Sequence, residues 1–149
     1  MKPERGPAGA EPALQPLYLL SVSTYGGAIG VMFDAVDLLT LLDAMPFEQL
    51  DDLPFGLIVM NRSGVVVSYN AIESARAGLQ RDHVVGRHFF ESVAPCMNNY
   101  LVAQRFLDEP SLDDFLDYVF TFRMLPTPVR LRLMARAGSD RQYVAVINR

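Results

Sequence analysis

Gly56-Leu57-Ile58-Val59-Met60-Asn61-Arg62-Ser63-Gly64-Val65-Val66-Val67-Ser68-Tyr69-Asn70-Ala71-Ile72-Glu73 is the stretch whose reading decides the fold. Gly56 to Met60 is an apolar run of strand length. Asn61-Arg62-Ser63-Gly64 follows as a hairpin turn in which glycine supplies the positive φ. Val65 to Tyr69 is the partner strand. Asn70 then fits the N-cap of a short helix, Ala71 to Ala77, with Glu73 at the capping-box position and Gly78 as the stop.

Upstream, Asp34 to Ala44 has the pattern of an amphipathic helix. Val36 and Leu39 share one face, and Leu38, Leu41 and Leu42 thicken the apolar side. Asp34 and Asp37 favour its N-terminus through the macrodipole. Met45-Pro46 ends it, because the residue before proline avoids the helical region. Phe47 to Leu53 fits one more turn. Downstream, Gln80 to Val85 reads as a helical turn before Gly86, Phe89-Phe90 as a core anchor, and Tyr100 to Leu107 as a helix closed by Glu109-Pro110.

Three strands finish the chain. Tyr118 to Met124 places aromatics at alternate positions. Val129, Leu131, Leu133 and Ala135 alternate with Arg130, Arg132 and Arg136, as in a half-solvated antiparallel strand. Tyr143 to Ile147 follows the turn at Gly138-Ser139-Asp140. Two strands, several short helices and three strands describe an α+β domain: a five-stranded antiparallel sheet with short helices on one face.

The bulk numbers bound the function. At 149 residues there is room for one domain and an extension. A net charge of −4 gives no electrostatic footprint for nucleic acid. The arginine stripe is explained by a solvated strand face. One cysteine, Cys96, cannot form an internal disulfide and suits a reducing, cytoplasmic setting. Cys96 with His83 and His88 does not match structural zinc spacing. No orienting acid or oxyanion loop makes Cys96 the nucleophile of a turnover enzyme. Pro12 to Phe33 carries no charge, but prolines, glycines and hydroxyl residues dilute it, so a membrane segment is not expected.

The order of elements is similar to the PAS fold, a sensory domain. A narrower resemblance, from about Phe33 to Arg149, is to photoactive yellow protein. It is carried by Tyr69-Asn70-Ala71-Ile72-Glu73 and by Gly86, Phe89-Phe90 and Val93-Ala94-Pro95-Cys96. It implies residues 1–33 as an N-terminal extension and 34–149 as a PAS domain with an N-terminal helical cap. It further implies 4-hydroxycinnamic acid (p-coumaric acid) held as a thioester on Cys96. Tyr69 and Glu73 are then the hydrogen-bond partners of its phenolate, and Phe89, Phe120 and Met124 pack near it. The function implied is that of a blue-light photoreceptor, non-enzymatic, signalling by chromophore isomerisation and proton transfer from Glu73 to a separate downstream protein, with a weak homodimer also open to it. The sequence departs from the family at Ala77 and Leu79, where a threonine and a pocket-lidding arginine are expected, and at Phe122, where a tyrosine is expected. Those changes keep a second reading alive: a PAS domain without chromophore that serves as an interaction or dimerisation module.

Overall fold

The computed structural model describes residues 30–121 and 125–149. The chain divides into two compact units, Met1–Pro54 and Phe55–Arg149. The described part of the first holds helix α1 (Leu38–Ala44) and a 3-10 turn (Phe47–Asp52). Helix α1 starts four residues later than the apolar pattern suggested. Tight turns from Ala35 N–H to Met32 C=O and from Leu38 N–H to Ala35 C=O occupy the chain before it. Val36 is accordingly 95% exposed and takes no part in the apolar face, which consists of Leu38, Leu41 and Leu42. Met45 is extended before Pro46, as the proline requires. The uncharged run from Pro12 lies almost wholly outside the described residues. Among those residues no helix is long and apolar enough to cross a membrane.

The second unit begins with strands β1 (Gly56–Asn61) and β2 (Val66–Tyr69), then helix α2 (Ala71–Ala77). A 3-10 turn (Arg81–His83), a π turn (Phe89–Val93), a second 3-10 turn (Pro95–Met97) and helix α3 (Ala103–Asp108) follow. Strands β3 (Leu112–Phe120), β4 (Thr127–Ala135) and β5 (Arg141–Asn148) complete it. The sheet is antiparallel throughout, in the order β2-β1-β5-β4-β3. First and last strands therefore meet at its centre. Ile58, Met60, Leu131, Leu133, Val144 and Val146 form one core cluster with Ala77, Val84, Phe89, Phe90, Met97 and Phe106 from the helical segment. The expected α+β architecture is what forms.

Two further boundaries differ from the sequence pattern, each for a physical reason. Strand β3 begins at Leu112 and not at Tyr118. Its acidic residues are poor strand formers, but antiparallel pairing sets Asp117 opposite Arg130 and Asp113 diagonally across from Arg132. Asp113 takes two hydrogen bonds from Arg132 (2.8 and 3.0 Å), and Asp117 lies 3.9 Å from Arg130. The same pairing corrects one residue of the solvated arginine face of β4: Arg130 and Arg136 are exposed as expected, but Arg132 is only 3% exposed and lies over the Phe115 ring. Helix α3 starts at Ala103 and not at Tyr100. Asn99 Oδ1 accepts from the N–H groups of Leu101 (2.9 Å) and Val102 (3.2 Å), a local turn that competes with helix. Tyr100 is left 76% exposed.

The hairpin behaves as its residues dictate. Gly64 takes φ +85, and its N–H bonds to Asn61 C=O (2.9 Å). A Cβ on Gly64 would lie 2.6 Å from Nε2 of His88. Gly64→Ala therefore carries both left-handed strain and a displaced imidazole. We expect a loss of about 1–2 kcal/mol in urea unfolding from the backbone term alone. An unchanged midpoint would remove this constraint.

Candidate functional site

The site is assembled at the junction between β2 and α2. Tyr69 ends β2, pairs with Ile58 of β1, and is 1% exposed. Asn70 follows as the extended N-cap of α2, itself 1% exposed. Its Oδ1 accepts from Glu73 N–H (3.1 Å) and from Leu57 N–H (2.9 Å), while its Nδ2 donates to Phe55 C=O (3.0 Å). One amide thus caps the helix and ties it to β1. Only half of the expected capping box forms. Asn70 N–H is taken by Leu57 C=O, and the Glu73 side chain turns to Arg76 instead.

Glu73 is 2% exposed. Its Oε1 accepts from Arg76 Nη2 at 2.8 Å, a pair three residues apart on one helix. Gly56 of β1 lies so close that a Cβ there would overlap Glu73 Oε1. Burial raises the carboxyl from its ordinary 4.5 to about 7, against the opposing pull of the Arg76 guanidinium. Burial, and then the negative charge of Glu73, raise the Tyr69 phenol above its ordinary range, so it remains neutral. Among the described residues the Tyr69 hydroxyl has no hydrogen-bond partner, and neither has Oε2 of Glu73. A buried, unsatisfied hydroxyl is costly and uncommon. An acceptor oxygen placed against it would remove that cost.

Arg76 reaches further. It lies over the Phe120 ring, 5.6 Å from its centroid, and its Nη1 donates to Asn148 Oδ1 (3.4 Å). Phe120 ends β3 and is buried in the same cluster as Tyr69 and Phe89. Phe89 opens the π turn, stacked edge-on against Phe90 at 5.1 Å. Cys96 sits in the turn Pro95–Met97 as a free, half-buried thiol packed against that cluster. Its carbonyl is clamped by Tyr118 Oη (2.5 Å) and Asn99 Nδ2 (3.0 Å), and Asn99 also donates to Tyr118 Oη (2.7 Å). Tyr69, Phe89 and Phe120 thus share a core that Cys96 borders, and Glu73 joins it through Arg76. Met124 and Phe122 lie outside the described residues. Ala77 is buried, and Leu79 lines a cavity of about 370 Å³ with His83, Val84, Arg87, Ser92 and Val93.

No protein-family profile matches the chain. Individual proteins do. The photoactive yellow protein of Halochromatium salexigens is 33% identical over 119 residues, which are 78% of this chain and 95% of that one. The photoactive yellow protein domain of the sensor histidine kinase Ppr from Rhodospirillum centenum superposes with a TM-score of 0.67 at 37% identity, over 73% of this chain and 98% of that domain. The chain belongs to the photoactive yellow protein family. The PAS domain of an HTR-like protein from Haloarcula marismortui, 20% identical over 77% of this chain and all of that one, shares the fold with a TM-score of 0.54.

Four residues that help to build this cluster escaped the sequence reading as site residues: Gly56, Arg76, Asn99 and Tyr118. Arg76 left a signal, since a cation three residues after an acid on a helix is a neighbour. Asn99 and Tyr118 left none, because their meeting at Cys96 depends on how the loop closes onto β3.

The raised pKa of Glu73 has a consequence for stability. The folded chain holds this proton more tightly than the unfolded chain. The resulting stabilisation is fully present below pH 4.5 and is lost as pH rises through about 7. Urea unfolding at about pH 4 and about pH 8 should differ by a Glu73 contribution on the order of 3 kcal/mol. Glu73→Gln should flatten that part of the profile; an unaltered profile would place the effect elsewhere.

Proposed function

We propose that the chain is a blue-light photoreceptor whose sensory domain spans residues 34–149, with 1–33 as an extension, and that Cys96 carries 4-hydroxycinnamic acid as a thioester. The observation that carries this reading is the Tyr69 hydroxyl, sealed from water and without a partner among the described residues, beside a carboxyl group whose pKa burial raises to about 7. That pair fits the phenolic end of such a ligand: Tyr69 Oη donates one hydrogen bond and Glu73 Oε2, when protonated, donates another. Bonds to an ionised oxygen are roughly twice as strong as neutral ones, so two donors can replace the lost hydration. Phe89 and Phe120 supply apolar walls, and the family resemblance adds Met124 to them. The ligand, when bound, supplies absorption of blue light and isomerisation about its double bond.

The chain's own residues then do the rest. Glu73 would pass its proton from Oε2 to the phenolate oxygen of the bound ligand and be left as a buried carboxylate with Arg76 as its counter-charge. Even so paired, such a charge is costly in a dry interior, and its relief loosens the packing around α2. Tyr118 and Asn99 hold the Cys96 carbonyl, which keeps the turn bearing the thiol fixed while the other end of the site moves. The output passes, in the cytoplasm, to a separate signalling protein. A similar domain forms part of a sensor histidine kinase, which supports a signalling role. No turnover chemistry is involved.

The test is reconstitution. Purified protein mixed with an activated ester or anhydride of 4-hydroxycinnamic acid should gain one acyl group by intact mass and a visible absorption band, with the adduct mapped to Cys96. Cys96→Ala should lose both. Absence of an adduct under conditions that label another family member would reject the photoreceptor and favour the interaction module. Glu73→Gln should keep the colour and stop the proton transfer.

A further inference from the structure

The Glu73–Arg76 pair is more than a helix-surface bridge. The carboxyl is 2% exposed and the guanidinium side chain 14%, so the charges meet with little water between or around them. The groups facing the carboxyl are few. Tyr69 from β2 and Arg76 from α2 are titratable or charged; Gly56 from β1 is not. The further partners of Arg76, Phe120 of β3 and Asn148 of β5, are neutral. Arg76 is therefore the one cation to which Glu73 answers among the described residues.

Geometry adds a second restriction. Oε1 is committed to Arg76 Nη2 and shielded by Gly56, whereas Oε2 has no partner among the described residues. A carboxyl that must keep a proton on one oxygen and later lose it needs a distinction between its two oxygens. It also needs a counter-charge that makes ionisation affordable in a desolvated place. Arg76 provides both.

We propose that Arg76 is a positioning residue for Glu73: it occupies Oε1 and supplies the counter-charge that lets the buried carboxyl ionise, leaving Oε2 as the oxygen that exchanges its proton with a phenolic ligand. The part played by Oε2 rests on the photoreceptor reading, but the coupling of Arg76 to Glu73 is a property of the ligand-free chain. With one cation held over Phe120 and hydrogen-bonded to Asn148, a change of charge on Glu73 alters the grip of α2 on the ends of β3 and β5.

The experiment titrates ligand-free protein by infrared difference spectroscopy. The C=O stretch of the protonated Glu73 carboxyl is assigned by its loss in Glu73→Gln. Arg76→Leu should move the midpoint upward by about one to three pH units, the usual effect of withdrawing a neighbouring opposite charge. Arg76→Lys should restore a midpoint near that of the parent. Asn148→Ala, which cuts another tie of Arg76 but no charge, should leave it in place. Should Arg76→Leu fail to fold, as judged by circular dichroism, Arg76→Gln applies the same neutral test. A midpoint in the neutral variants equal to the parent's would overturn the proposal, as would an equal displacement in Asn148→Ala. Because no ligand is added, failure here is separate from failure of Cys96 to take up an acyl group.

Discussion

The site depends on one buried amide. Asn70 caps α2 and in the same gesture bonds Leu57 of the first strand and Phe55 just before it. Without that link Tyr69 would end a strand and Glu73 would start a helix, each free to settle separately. With it, the strand end and the helix start become one rigid corner. The hydroxyl of Tyr69 and the carboxyl of Glu73 are then buried by the fold and not by their own preference. A phenol and a carboxyl seldom choose a dry position; here the backbone around them leaves no other.

Burial at this corner sets the chemistry in one direction. Desolvation raises both Tyr69 and Glu73, and the charge of Glu73 further discourages that of Tyr69. Only Arg76 opposes this, through contact and through its field. The phenol stays neutral while the carboxyl is brought to the edge of ionising. Two acids four residues apart in sequence thus acquire different roles from one environment, because only one of them touches the guanidinium.

Much of this was legible beforehand. The hairpin at Gly64, the cap at Asn70 and the stop at Gly78 follow from local chemistry that tertiary contacts reinforce. The less legible parts are those in which a side chain competes with the backbone or a charge is neutralised from afar. Asn99 turns three residues out of helix α3 with its own carboxamide. Asp113 and Asp117 lie ahead of the aromatic alternation that marked the strand, and they join it because β4 brings Arg132 and Arg130 within reach. Glu73 had the spacing of an exposed capping residue. Nothing local reveals that Gly56 leaves the room into which its carboxyl is pressed.

The departures from the family pattern also make sense together. The resemblance led one to expect a hydroxyl at 77 and an arginine at 79. The chain instead has a buried Ala77, a Leu79 along a cavity, and its guanidinium at position 76. The cation has moved three residues back, from the loop after the helix onto the helix itself. A loop cation can swing toward solvent at small cost. Arg76 is held by Glu73, Phe120 and Asn148 at once, so it cannot leave without breaking contacts on three elements. Positive charge at this corner is thereby a fixed property of α2.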